Sequence, residues 1–317
     1  MASEIISNIL KRINPELVNV LATQLSGTEL NSILLEVFKQ KASTLTPPGL
    51  LNQYQNNRFV KPADLPVLKM KRMELDILEL FERHSFQAIE LSPVAILGSC
   101  SVVGPVNQKK VLSALRGTEV MADSTNALAL HACDLKQRNE IPHATPPVWM
   151  RCCNIQRHLR TQAISAKGFR PHFKIGCLVT CGSDSGNFEF EKVALNEHMQ
   201  IMKHLFAGYF KVEEISFRIL PRAGYANTKD LLSRTSEYFK NEDPGIRLSI
   251  VEQTANQNQY YKGIQYKVDI RVNGKVYEIG DGGFVDWTQQ LLQNKKERML
   301  STGFGLDLMY RILSGEL

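Results

Sequence analysis

Tyr260-Tyr261-Lys262-Gly263-Ile264-Gln265-Tyr266-Lys267-Val268-Asp269-Ile270-Arg271-Val272 is the stretch on which the reading of this chain turns. From Ile264 onward apolar and polar residues alternate, the period of a strand with one covered face. Asn273-Gly274 follows, a pair that accepts positive φ and closes hairpins. Lys275-Val276-Tyr277-Glu278-Ile279 reads as the returning strand, and Gly280-Asp281-Gly282-Gly283 as a glycine turn. Thr302-Gly303-Phe304-Gly305-Leu306-Asp307-Leu308-Met309-Tyr310-Arg311 reads as a glycine-bearing strand running into an apolar helix. A strand, a Gly-dense bend and a helix ending in Arg make a floor for a flat ligand. Glycine lets backbone approach it, and Arg offers a fork for phosphate or carboxylate.

Outward from this stretch, hairpin-linked strands interleave with helices. That arrangement predicts an α+β fold, a mostly antiparallel sheet flanked by helices. Expected helices lie at 73–83, 107–115, 124–135, 189–206, 228–240 and 304–313. Expected strands lie at 86–91, 148–155, 173–181, 212–220, 246–253, 263–272 and 275–280. Pro142, Pro146 and Pro147 mark a loop. Before all of these, residues 3–42 read as helices, with Thr28 a candidate cap. Thr46-Pro47-Pro48-Gly49 breaks the pattern, and 49–66 reads as a polar connector. Two regions follow: an N-terminal helical appendage and connector over 1–66, and a core over 67–317.

Composition places the chain among ordinary globular proteins, with 43% hydrophobic and 22% charged residues in 317. The net charge of +6 permits an anionic ligand, but no polybasic run marks a nucleic-acid surface. No apolar run reaches the length of a membrane span and no secretory signal is visible, so the cytoplasm is the expected compartment. The six cysteines lack zinc-knuckle spacing. Cys177 and Cys181 share a strand face, either as a redox or metal pair or as buried thiols. His198 and His204 are poorly spaced for joint metal ligation. Gly182-Ser183-Asp184-Ser185-Gly186 lacks the ending of a phosphate-binding loop and reads as a tight turn. No metal site is expected.

Taken in order, these blocks resemble the catalytic core of class II aminoacyl-tRNA synthetases. The resemblance covers roughly residues 70–317 and is greatest for the histidyl branch, which includes the catalytically silent regulatory subunit of ATP phosphoribosyltransferase. Met73–Pro93 matches the helix and strand that form the family's dimer interface, with Pro93 as its proline. Arg116-Gly117-Thr118-Glu119 and Met121-Ala122-Asp123-Ser124-Thr125-Asn126 match the block whose acidic residue and Thr hold an ammonium group. By that likeness Glu119, Asp123 and Thr125 bind ligand; from the residues alone, Asp123 or Ser124 equally caps a helix. Gln156-Arg157-His158-Leu159-Arg160-Thr161-Gln162 and Gly168-Phe169-Arg170-Pro171-His172-Phe173 match the second motif, or else form a solvated edge strand. The resemblance gives Arg157 and Arg160 to the ATP α-phosphate.

The same likeness makes Tyr260, Tyr261, Gly283, Asp286, Gly303 and Gly305 ligand-binding and gives Arg311 to the γ-phosphate. Several charged positions depart from the family pattern. Leu159 stands in place of Glu, Asn256 in place of the catalytic arginine, and Phe284-Val285 in place of Arg-Tyr. Arg311 comes one residue late, with Tyr310 in place of Glu. The chain stops at Leu317, where the family continues into an anticodon-binding domain, so tRNA is not an expected partner. The expectation is a homodimeric, non-charging paralogue that binds an amino acid or nucleotide for regulation. Two alternatives remain. One is an adenylate-forming ligase using ATP and Mg; the other is an interaction protein whose N-terminal helices dock a partner.

Overall fold

The computed structural model describes residues 2–140, 149–162, 170–251 and 260–317. The prolines at 142, 146 and 147, Gly168-Phe169 and Asn256-Gln257-Asn258-Gln259 lie outside them. Helices α1 (Ala2–Ile13), α2 (Leu17–Asn19), α3 (Gly27–Ser43) and α4 (Pro47–Asn56) precede α5 (Val67–Arg83). Strands β1 (Gln87–Ala88), β2 (Val94–Ile96) and β3 (Thr118–Val120) lead to α6 (Ser124–Gln137) and the long hairpin β4 (Met150–Leu159) and β5 (His172–Ser183). Then come α7 (Glu189–Lys203), β6 (Glu214–Pro221), α8 (Thr228–Glu242), β7 (Leu248–Ile250), β8 (Lys262–Val272) and β9 (Lys275–Val285). Helix α9 (Trp287–Leu292), β10 (Glu297–Gly305) and α10 (Leu306–Leu313) complete the order.

Eight strands form one sheet in the order β1-β4-β5-β10-β9-β8-β6-β7. Its interior pairings are antiparallel, and only the edge pairs β1–β4 and β6–β7 are parallel. The expected α+β class holds. Successive side chains on each strand point to opposite faces, and the two faces are covered unequally. Phe81 of α5, Leu195 of α7, Leu231 of α8 and Met309 of α10 bury one face with Leu178, Val268, Leu300 and Phe304. On the other, Leu128 and Ala129 of α6 and Trp287 of α9 cover a smaller cluster that includes Cys152, Cys177, Val179, Cys181, Val285 and Met299. The remainder of that second face is open to a cleft.

The Asn273-Gly274 turn forms as read, with φ of 51° and 75°. Gly280-Asp281-Gly282-Gly283 is not a turn but the interior of β9. Its glycines serve close approach: a Cβ on Gly280 would sit 2.3 Å from the Gly303 carbonyl oxygen, and one on Gly282 would sit 2.7 Å from that of Ser301. The expected helix at 107–115 is also corrected. Only Gln108–Lys110 makes a short helical turn, and Val111 is already extended. The strand expected at 86–91 shrinks to β1, and half of the connector is α4. Ser26 rather than Thr28 caps α3, in a capping box with Glu29. Asp184 closes the 182–186 turn by accepting from the Gly186 amide at 2.8 Å. Among the described residues no helix is long and apolar enough to cross a membrane.

All six cysteines are buried and free. Burial pushes the Cys100, Cys152 and Cys153 thiols up to about 12, so thiolate chemistry is suppressed. His198 is equally buried, its ring bridging Thr180 Oγ1 at 2.9 Å and Thr302 Oγ1 at 2.6 Å.

Two outcomes follow from this packing. Gly280→Ala is expected to cost more than about 2 kcal/mol in urea unfolding, because its Cβ meets backbone; Gly208→Ala, with open space around it, stays within about 0.5 kcal/mol. Burial, with Arg151 nearby, pulls His198 from 6.5 down to about 3. The unfolded chain then binds the extra proton below pH 6.5, so this stability is complete above that pH and drains as pH falls toward 3. The slope is about 1.4 kcal/mol per pH unit. His198→Leu is expected to remove it from stability measured between pH 6.5 and 4, while lowering the stability at neutral pH.

Candidate functional site

The second sheet face opens into a cleft of about 490 Å³. Its floor is Ile175 and Cys177 of β5, Gly303 and Gly305 of β10, and Asp281 of β9. One wall is the start of α6, with Asp123 and Thr125, together with Tyr260 and Tyr261. An adjoining wall brings His158, Arg160 and Gln162 from the end of β4, with Lys110 and Val111 from the segment before β3.

Asp123 is the N-cap of α6, its Oδ1 accepting from the Thr125 amide at 2.9 Å and the Thr125 hydroxyl at 2.7 Å. Its Oδ2 accepts from the Tyr260 hydroxyl at 2.8 Å. The capping reading and the binding reading are therefore compatible. Oδ1 is saturated, whereas Oδ2 keeps a lone pair for a donor in the cleft. Burial, with Asp123 close by, pushes the Tyr260 phenol well above its ordinary range, so it stays a donor. Asp281 accepts from Gln265 Nε2 at 3.0 Å and Lys267 Nζ at 3.2 Å. Arg160 lies over the Phe173 ring at 5.4 Å and donates through Nε to the Ala122 carbonyl at 3.0 Å. Its two terminal nitrogens have no partner among the described residues.

Arg157 is elsewhere. Strand alternation puts it on the helix-covered face with Cys153 and Ile155, and its Nη1 meets Asp307 at 3.3 Å and His172 at 3.1 Å. Arg311 is also outside the cleft, held by Glu316 and by the Asp64 carbonyl at 3.1 Å. Glycines carry the expected residues Gly303 and Gly305 into the cleft floor, while Gly283 makes room for Tyr261, whose Cδ1 lies 2.6 Å from where its Cβ would be. Asp286 pairs instead with Lys262 at 3.4 Å. Pro93 is exposed at the start of β2, its carbonyl accepting from the Met121 amide at 3.0 Å.

Glu119 does not reach the cleft either. Fully buried, it accepts from the Gly98 amide at 2.9 Å, the Cys100 amide at 3.0 Å and Gln108 Nε2 at 2.8 Å. Burial raises its pKa, but Gln108 and the two amides outweigh that and hold the carboxyl below its usual range. It builds the wall that carries Cys100 and Lys110.

Sequence reasoning passed over His158, which is 1% exposed and lines the cleft. Its signal was present in the alternation of β4: if Cys153 and Ile155 face the helices, His158 faces the ligand side. Its Nδ1 is buried without a partner among the described residues. An unpaired buried donor costs about 1–3 kcal/mol. Among the described residues no group of three or more His, Cys, Asp or Glu side chains is placed to hold a metal ion.

The Gly98 and Cys100 amides bond different oxygens, so Glu119→Gln turns a donor toward one of them and is expected to cost about 2–3 kcal/mol. Hydrogen exchange at Gly98 and Cys100 should accelerate with it; unchanged protection would reject the wall-building role.

No family model and no curated protein matches the sequence. Solved structures match in fold. The apo Staphylococcus aureus histidyl-tRNA synthetase aligns at TM-score 0.58 and 13% identity, covering 81% of this chain and 69% of that one. A protein described as an ATP phosphoribosyltransferase regulatory subunit/histidyl-tRNA synthetase from Bacillus halodurans aligns at 0.60 and 15%, covering 80% and 82%. A histidine–tRNA ligase subunit from Alicyclobacillus acidocaldarius aligns at 0.55 and 10%, covering 81% and 98%. The chain therefore has the fold of the class II aminoacyl-tRNA synthetase core.

Proposed function

We propose that this chain binds a free amino acid in the cleft and acts as a regulatory, non-charging relative of the synthetase core. The charge balance of the cleft carries the reading. Its described lining holds two cations, Lys110 and Arg160, against two carboxylates, Asp123 and Asp281, of which Asp281 is already paired with Lys267. A balanced lining suits a zwitterion. A nucleoside triphosphate brings several negative charges and calls for an excess of cations at its phosphates. The two arginines assigned to those phosphates by resemblance, Arg157 and Arg311, are instead bound to Asp307 and to Glu316. ATP with Mg therefore fits this set of residues poorly. The free lone pair on Asp123 Oδ2, beside a phenol and a hydroxyl, supports ammonium binding.

A homodimer is part of the proposal. Val94, Ile96 and Leu97, adjoining Pro93, expose 36%, 64% and 50% of their surface, an apolar strip suited to a second copy. Docking of a protein partner on the N-terminal helices draws support from α3 and α4, in which no residue is buried.

Isothermal titration with the standard amino acids, ATP and AMP tests the main reading. One or a few amino acids are expected to bind, and Asp123→Asn should weaken them at least about tenfold. Pyrophosphate exchange should stay at background with every acid tried. No binding by any amino acid would remove the reading, and exchange above background would replace it with adenylate formation.

A further inference from the structure

Helix α6 begins at Ser124, and the first amides of a helix have no partner within it. The Ser124 amide finds one in His158 Nε2 at 3.0 Å, with the Ser124 hydroxyl 2.6 Å from the same nitrogen. An amide can only donate, so Nε2 must carry the lone pair and the ring proton of the neutral imidazole sits on Nδ1. The charged groups facing the ring are Asp123, at the start of α6, and Arg160, beyond the end of β4. Burial outweighs Asp123 and, with Arg160, pulls the ring down to about 4, so it is neutral at physiological pH. Nδ1–H is then a fixed donor without an acceptor among the described residues, on a side chain that lines the cleft.

We propose that His158 is a ligand-binding residue whose Nδ1–H donates to the α-carboxylate of the bound amino acid, next to the guanidinium of Arg160. The assignment rests on the amino-acid reading above and deepens it. Asp123 and the Ser124 amide that holds the imidazole are consecutive in the chain, so the ammonium site and His158 are anchored to the same helix start. An α-amino acid carries its two charged groups on one carbon, so the groups that hold them must be neighbours in the cleft. A neutral donor also distinguishes this cleft from one built for phosphate, where a fixed positive charge would be favoured.

The test takes the amino acid that the wild-type protein binds best and its decarboxylated amine, titrated into wild type and His158→Phe. The variant is expected to lose at least about tenfold in affinity for the amino acid and less than about twofold for the amine. In wild type labelled with 15N-histidine, the His158 Nδ1 resonance should shift when the amino acid is added. Equal losses for both compounds, an unchanged affinity, or an unmoved Nδ1 resonance (as for a donor satisfied by a buried water) would overturn the assignment. If His158→Phe does not fold, the wild-type resonance alone decides. A wild-type protein that binds no amino acid removes the underlying reading and this assignment together, whereas binding without the His158 effects removes only the assignment.

Discussion

Alternation of side chains across the central sheet is the constraint on which the rest depends. Strands β4, β5, β9 and β10 present one set of residues to four helices and the other set to an open cleft. The helix-covered face is tied down by large apolar contacts, Phe81 and Phe206 packing edge-on against Phe304 among them. Slipping any of these strands by one residue would carry that set into solvent and bury the polar one. Which strand residues line the cleft is thereby settled by residues that never reach it.

The fate of the arginines follows. Arg157 and His158 are neighbours in sequence but occupy opposite faces, and only the imidazole reaches the cleft. Arg157 stays on the helix side of the sheet, its side chain 34% exposed, and Asp307 at the start of α10 pairs with it. Burial raises the Asp307 carboxyl while Arg157 and Lys174 pull it back, the mark of an ion pair sustained in a partly dry place. Arg311 is captured in the same way, by Glu316 and the Asp64 carbonyl. The carboxyl-terminal residues and the connector thus use a charge that would otherwise be available to an anionic ligand.

Local polar groups in the cleft are used economically. The start of α6 needs acceptors for its first amides, and Asp123 and His158 supply them while still facing the cleft. Each caps the helix with one atom, Asp123 Oδ1 and His158 Nε2, and keeps the other, Oδ2 and Nδ1, for the role proposed above. Glu119 organises the adjoining wall through two backbone amides, so the 98–111 segment holds its shape with little regular structure.

Much was legible in the chain itself. The period-two pattern over 264–272, the Asn273-Gly274 turn and the amphipathic runs at 73–83 and 189–206 determined an α+β core, because alternation and helical spacing are local properties. The resemblance to the synthetase core singled out Asp123, Thr125, Tyr260, Tyr261, Gly303 and Gly305, and all six line the cleft. Tertiary structure alone decided the rest. Gly280–Gly283 look like a turn, yet lie inside a strand because the neighbouring strands leave no room for Cβ atoms there. Arg157 and Arg311 look like phosphate ligands, yet their charges are spent on Asp307 and Glu316. Which face a strand residue takes, and which distant carboxylate meets a cation, depend on packing between segments far apart in the chain.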